Sequence, residues 1–403
     1  MKRLSNRLHS LSESQTLQMN KLSRKLKQEG HDIINLSLGE PDFPTPDHIK
    51  EGAKKAIDED YTHYPPVAGY IELRKAIAKK FKDENGLNYT HAEVVVSTGA
   101  KQALANIMLA LLNPGDEVIL PAPYWVSYIE MIKLAEGKVV IIPTKIENDF
   151  KLDLDDLEAA ITKKTKIFIM CSPSNPTGTV YDKGELRKIA EILARYPDIT
   201  IVSDEIYEHI TFKEKHESIA QFDIVKESTV VVNGVSKGYA MTGWRIGYIG
   251  APLPIAKACE KIQGQITSGA SSISQRAAIV ALSSGLEDSK KMCAAFKRRR
   301  DLILELIKEI PGIRTDIPEG AFYIFPDISY YFGKSVDDLT IKNSNDFCMY
   351  LLNEANVAIV TGAAFGDDNC VRISYSASAK EITEAMSRIK TALNKLEPVD
   401  AIT

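Results

Sequence analysis

The stretch Thr229-Val230-Val231-Val232-Asn233-Gly234-Val235-Ser236-Lys237-Gly238-Tyr239-Ala240-Met241-Thr242-Gly243-Trp244-Arg245-Ile246-Gly247 carries a run of β-branched residues into a loop punctuated by glycines. A continuous apolar run without alternation is the pattern of a strand buried on both faces, as in a parallel sheet covered by helices. Outward from this stretch, from about Glu93 to Pro252, the same design recurs: a short run rich in Val and Ile, a turn, then a longer amphipathic segment. Strands are expected at Val94 to Ser97, Glu117 to Leu120, Val139 to Ile142, Lys166 to Cys171, Thr200 to Ser203, Thr229 to Asn233 and Arg245 to Ile249. The class is therefore α/β, with a mostly parallel seven-stranded sheet. In an open sheet of this kind, ligands collect beyond the carboxyl ends of the strands, where helix N-termini converge.

Beyond Ser268 the pattern turns helical, with a basic run at Lys297 to Arg300 that reads as a solvated helix face. Strand-like pieces follow at Ala321 to Phe325, Val357 to Val360 and Val371 to Tyr375, before a final amphipathic helix. This mixed region, Gly312 to Thr403, belongs to a second, α+β domain. At 403 residues the chain is long enough for one large and one smaller domain.

Composition narrows the function classes. A formal net charge of -4 offers no excess positive field for a polyanion, so nucleic acid is not expected as a partner. The cysteines Cys171, Cys259, Cys293, Cys348 and Cys370 contain no CxxC pair and no histidine at ligand spacing, which argues against a zinc site or disulfide framework. Met1 to Asn20 is basic but has no apolar core, and no segment approaches the roughly 20 apolar residues of a membrane span. A cytoplasmic protein is expected. A transit peptide would also be basic and serine-rich, but Glu13 and the early onset of patterning count against it.

The loop after the quoted strand holds the strongest chemistry. A lysine at position 237 can form an imine with an aldehyde cofactor, and Arg245, eight positions on, can grip a phosphate with its planar fork. Ser236 adds a hydroxyl donor. A Lys and an Arg at that spacing, taken alone, are two surface charges; the fourteen-residue string Gly234 to Gly247 is not so easily dismissed.

Other strand ends supply candidates of the same kind. Ser203-Asp204-Glu205-Ile206-Tyr207 would bury a carboxylate that keeps a pyridine nitrogen protonated, with Tyr207 placed to donate to a phenolate oxygen. An aspartate at a strand end is otherwise a common helix cap. Ser172-Pro173-Ser174-Asn175-Pro176-Thr177-Gly178 is a turn that could aim the Asn175 amide at the same oxygen. Ser97-Thr98-Gly99-Ala100-Lys101-Gln102-Ala103 opens a helix expected over Gln102 to Leu112, whose free amides suit a phosphate. Trp125, in Pro123-Tyr124-Trp125, could stack on a pyridine face, or simply fill the core.

Gly39-Glu40-Pro41-Asp42-Phe43 is a turn whose backbone could reach substrate, Tyr64 lies in Thr62-His63-Tyr64-Pro65-Pro66, and Cys370-Val371-Arg372-Ile373-Ser374-Tyr375 sets an arginine in a late strand.

Taken in order, these motifs resemble the class I and II aminotransferases, and the chain from about Leu11 to the last helix is similar to the bacterial aspartate aminotransferases of the Ib subgroup. The resemblance implies a fold-type I homodimer dependent on pyridoxal 5'-phosphate, with a large domain over 48–290 and a small domain built from 1–47 and 291–403. It implies that Lys237 carries the cofactor, Asp204 pairs with the pyridine nitrogen, and Tyr207 and Asn175 contact the phenolate. Arg245, Ser236, the Gly99 and Ala100 amides and Tyr64 of the neighbouring subunit would hold phosphate. Gly39, Trp125, Asn175 and Arg372 would surround the amino acid, with Arg372 binding its α-carboxylate as a bidentate pair.

The implied reaction is ping-pong transamination between L-aspartate and 2-oxoglutarate. In the Ib enzymes a lysine of the Gly-x-Lys-Gln-Ala element binds the distal carboxylate, and Lys101 matches it. Thr16 matches a threonine that accompanies prephenate amination in several members, whereas Ser12 stands near where some relatives carry lysine. The cofactor motifs alone also admit an aromatic or alanine aminotransferase, a β-lyase, or a non-catalytic cofactor-binding regulator. The last would need a DNA-binding segment, which is not seen, and no GxGxxG follows a strand to suggest a dinucleotide.

Overall fold

The computed structural model describes residues 4, 5 and 7–398; the outermost residues of the expected small domain, 1–3 and 399–403, lie outside them. Seven strands form the central sheet: β1 (Val94–Ser97), β2 (Glu117–Ala122), β3 (Lys138–Pro143), β4 (Thr165–Cys171), β5 (Thr200–Asp204), β6 (Thr229–Gly234) and β7 (Gly247–Gly250), in the order β1-β7-β6-β5-β4-β2-β3. All neighbours are parallel except β7, which runs antiparallel to both β6 and β1.

Burial of both faces explains the unbroken apolar runs. In β6 every residue is buried. Val230 and Val232 pack on one side with α1 (Ala100–Leu111) and α2 (Ser127–Leu134), while Val231 packs on the other with Phe81 and Tyr248. Successive strand side chains point to opposite faces, so a strand covered on both sides is apolar through its middle, here Val230 to Val232, with polar residues only at its ends. β3, at the edge, has only Ile142 buried.

The expected strand over Arg245 to Ile249 begins two residues later. Arg245 lies before it with φ 58°, a left-handed conformation uncommon for a long side chain, and the chain straightens only at Gly247. There, a Cβ would collide with the Ala100 amide, so glycine is required for β7 to pass the start of α1.

A three-stranded antiparallel sheet joins β8 (Tyr323–Ile324), β9 (Val360–Thr361) and β10 (Val371–Ser374), with β10 in the middle. The expected strand Val357 to Val360 divides: Val357–Ala358 pairs in parallel with Ile34–Asn35, and β9 pairs with β10. Residues near both ends of the chain thus meet. The final helix, Ala379–Leu393, starts in a capping box between Ser378 and Glu381 and buries Ile382, Met386, Ile389 and Leu393 along one face.

Only half of the basic run is a solvated face. It lies in α3 (Glu287–Lys308), where Arg299 forms a two-pronged pair with Asp42 at 2.8 Å and stacks on Phe43 and Phe296, while Arg300 donates to the Pro318 carbonyl and stacks on Phe212. Lys297 and Arg298 are exposed.

Candidate active site

A cavity of about 310 Å³ opens at the carboxyl ends of β4, β5 and β6. Lys237, Asp204, Tyr207, Asn175, Ser236, Arg245, Ala100, Lys101, Trp125, Gly39, Arg372 and Thr16 all line it. The strand ends of the central sheet supply Asn175, Asp204, Tyr207, Ser236 and Lys237, and Thr16, Gly39 and Arg372 reach the same cavity from outside that sheet.

Asp204 is the last residue of β5 and is almost fully buried. Its Oδ2 accepts from the Tyr128 hydroxyl at 2.6 Å and its Oδ1 from the Ile206 amide at 3.2 Å. Burial raises its pKa to about 6, against the pull of those two hydrogen bonds. The carboxylate is thus ionised at neutral pH and keeps unused acceptor capacity. Behind it, Glu205 accepts from Ser203 and Ser218 and meets His216, while Glu208 pairs with Lys80. The turn from 204 to 208 is therefore anchored on its far side by the buried Lys80–Glu208 ion pair and by the hydrogen bonds of Glu205.

Lys237 lies three residues past β6, and its Nζ donates to the Gly39 carbonyl at 2.5 Å. Desolvation lowers its pKa to about 8; Glu40 opposes that shift, and Arg245 and Arg372 add to it. A lysine held this way is a nucleophile and proton carrier close to neutrality.

Arg372 is completely enclosed. Its Nη1 donates to Asn175 Oδ1 at 3.0 Å and its Nη2 to the Ser37 carbonyl at 2.7 Å, and its guanidinium lies between the Tyr323 and Phe365 rings, 4.5 and 4.9 Å from their centroids. Both hydrogen-bond partners are neutral, and Nε has none. A buried cation without a counter-charge is costly, so the arrangement calls for an anionic ligand. With its oxygen engaged by Arg372, Asn175 keeps its amide nitrogen free for the cavity.

Near the start of α1, Gly99 (φ 82°) precedes the helix and lies against the Arg245 guanidinium, where a Cβ would collide. The helix begins at Ala100, earlier than the expected Gln102. Arg245 itself is exposed and donates to the Thr242 carbonyl at 2.8 Å. The Lys101 ammonium sits 5.0 Å from the Trp125 ring centroid, its pKa lowered by desolvation and then by Arg245.

Three expected residues do not line the cavity: Tyr64, Ser12 and Gly99, the last of which lies against Arg245. Tyr64 is 94% exposed and does not line the cavity of its own chain. Ser12 lines a neighbouring cavity, where its amide donates to Glu130 Oε2 at 2.8 Å. Conversely, Tyr128, Tyr323 and Cys171 line the main cavity without having been singled out. Tyr128 is the second residue of α2, and nothing local in the sequence ties it to Asp204.

The family model for aminotransferase class I and II matches residues 31–389. A bifunctional aspartate aminotransferase and glutamate/aspartate-prephenate aminotransferase of Petunia hybrida is 49% identical over 98% of this chain and 84% of its own. An aspartate/prephenate aminotransferase of Cereibacter sphaeroides is 47% identical over 96% of this chain and 98% of its own. The crystal structure of the aspartate aminotransferase from Rhizobium meliloti superposes with a TM-score of 0.95 at 44% identity, covering 98% of this chain and all of that one. The chain is a member of the class I and II aminotransferases, enzymes that work with pyridoxal 5'-phosphate.

Proposed function

We propose that the protein transfers the amino group of L-aspartate to 2-oxoglutarate, giving oxaloacetate and L-glutamate by a ping-pong mechanism. The observation that carries this reading is the enclosed Arg372, a guanidinium with neutral partners only, facing the Lys237 amine across one cavity. The names of the relatives point to the same donor.

The residues present fit the cofactor. The collision-tight approach of Gly99 to Arg245 and the amide of Ala100 form a cradle for its phosphate, and Ser236 adds a hydroxyl. The buried Asp204 suits a protonated ring nitrogen, Tyr207 and the free Asn175 amide suit a phenolate oxygen, and Trp125 offers a ring face. Lys237 would hold the aldehyde carbon covalently. When bound, pyridoxal phosphate supplies an electron sink for the pair left on the substrate Cα.

The protein's own groups then divide the work. Arg372 binds the α-carboxylate and, with Gly39 and Asn175, fixes the orientation of the Cα–H bond. Lys237 Nζ, with its pKa near 8 when free, would take the Cα proton once the substrate amine has replaced it on the aldehyde carbon, and would return it to that carbon, across the nitrogen from Cα. Asp204 keeps a proton on the ring nitrogen throughout. Lys101, exposed at the mouth beside Trp125, meets the distal carboxylate, with Thr16 near it and Ser12 one cavity further out. Amination of prephenate is a second activity supported by the relatives' names and by Thr16 in the cavity wall.

The enzyme works as a homodimer, in which the exposed Tyr64 completes the phosphate site of the other subunit; the exposure of Arg245 on the isolated chain supports this. The division into 48–290 and 1–47 with 291–403 is supported by the pairing of Ile34–Asn35 with Val357–Ala358. No helix among the described residues is long and apolar enough to cross a membrane, in keeping with a cytoplasmic enzyme. A panel of amino donors with 2-oxoglutarate tests the reading. Aspartate should give the highest kcat/KM, and a preference for alanine or phenylalanine would reject it.

A further inference from the structure

Tyr323 has no part in the functional reading above, yet it touches both halves of the site. It lies on β8, opposite Ser374 of β10 and so beside Arg372, and it is fully buried. Its ring carries the Arg372 guanidinium 4.5 Å from its centroid, and its hydroxyl lies 2.8 Å from the Tyr207 hydroxyl. It also packs so closely on Gly39 that a Cβ there would come within 2.8 Å of the Tyr323 oxygen. A phenylalanine would fill the same space and stack on the same cation. The hydroxyl needs another explanation.

We propose that Tyr323 is a positioning residue that couples occupancy of the Arg372 carboxylate site to the hydrogen-bonding strength of Tyr207. The coupling rests on the proposed roles of Arg372 and Tyr207. A cation over the face of a phenol withdraws charge from the ring and makes its hydroxyl the better donor. Burial raises the pKa of both tyrosines, and Arg372 pulls against that rise in each. With the guanidinium over its own ring, Tyr323 is the better donor of the pair, so in this coupling it donates and Tyr207 accepts. Tyr207 keeps its own proton for an oxygen in the cavity, and a hydroxyl that accepts one hydrogen bond donates the next more strongly.

The direction of the coupling follows. With Arg372 bare, Tyr207 is at its strongest and draws charge from the cofactor's phenolate oxygen, which lowers the proton affinity of the chromophore beside it. A carboxylate on Arg372 cancels the polarising charge, Tyr207 weakens, and that affinity rises. The substrate's own carboxylate thereby shifts the chromophore toward its protonated form. The Arg372–Asn175 bond offers a separate route, so loss of Tyr323 should reduce the response without abolishing it. The other ionisable groups facing this pair, Cys171, Glu40, Lys237 and Asp204, are present in parent and variants alike, so their titration is common to both and the difference between the curves reports on Tyr323.

The experiment titrates the absorbance of the holoenzyme against pH with and without maleate, a dicarboxylate that has no amine to transfer. In the parent, maleate should raise the midpoint. Tyr323→Phe should still bind maleate, because the stacking ring remains, but its ligand-free midpoint should lie higher by about half a pH unit and its maleate response should shrink to match. Tyr207→Phe should raise the midpoint further, and adding Tyr323→Phe to it should change nothing more. Identical titrations for the parent and Tyr323→Phe, or shifts from the two substitutions that simply add, would overturn the coupling alone. A parent midpoint indifferent to bound maleate would overturn it together with the role given to Arg372.

Discussion

Arg372 Nη1 donates to Asn175 Oδ1 across 3.0 Å, joining two residues 197 positions apart. The bond leaves the guanidinium with only neutral partners and the asparagine with a free amide. Replacing Arg372 by leucine removes one member of a charge-assisted pair that forms only when a carboxylate binds. Binding of the amino acid should weaken by about 2 to 5 kcal/mol while cofactor affinity changes little. Equal losses of both affinities, measured by substrate kinetics and cofactor titration, would mark a structural arginine instead.

Lys237→Ala removes the nucleophile from a site that other residues already shape. The variant should fold, melt near the parent temperature and retain no cofactor after borohydride reduction and denaturation. Cofactor fixed covalently to the variant would assign the attachment to another amine.

The ionisation of Asp204 gives a pH-dependent signature in the cofactor-free protein. Its folded pKa, about 6, lies above the unfolded value near 4, so the folded state binds the proton more tightly. The contribution of that proton to stability is complete below the unfolded value and is lost as pH rises through 6. Asp204→Asn cannot lose it. The apo variant should therefore be more stable than the apo parent at pH 8 by up to about 3 kcal/mol, and the gap should close by pH 4. A gap independent of pH would mean that burial does not strain this carboxylate. Turnover should fall in the same variant, since an amide does not hold a proton on a ring nitrogen.

Legibility in the sequence followed contiguity. The Gly234 to Gly247 string, the Ser172 to Gly178 turn and the Ser203 to Tyr207 strand end each carry their signal within a few positions, and the sheet brings them to one cavity. Tyr128 and Tyr323 are not legible, because their partners Asp204 and Tyr207 are 76 and 116 positions away, on other elements, and only the packing of a helix and a second sheet against the strand ends makes them neighbours. Arg299 and Arg300 misled for a related reason. A basic run on a helix reads as solvated, yet Asp42, Phe43 and Phe212 come from elsewhere to cover it. Arg245 was assigned to a strand because Trp244-Arg245-Ile246 is an extended-looking run, and nothing local announces a left-handed arginine.

Lys101→Ala tests selectivity. If the ammonium above Trp125 meets the distal carboxylate, kcat/KM for aspartate should fall on the order of tenfold or more, while that for alanine, which has no such group, should stay nearly unchanged. Parallel losses for both donors would leave Lys101 as a helix-end charge.

The most direct test of the central claim is the half-reaction. Purified holoenzyme mixed with L-aspartate and no acceptor should release one oxaloacetate per active site and stop, and 2-oxoglutarate added afterwards should yield an equal amount of glutamate and restore the original absorbance. Continued turnover without an acceptor, release of ammonia or of a decarboxylated product, or inertness toward aspartate alongside reaction with alanine would contradict it.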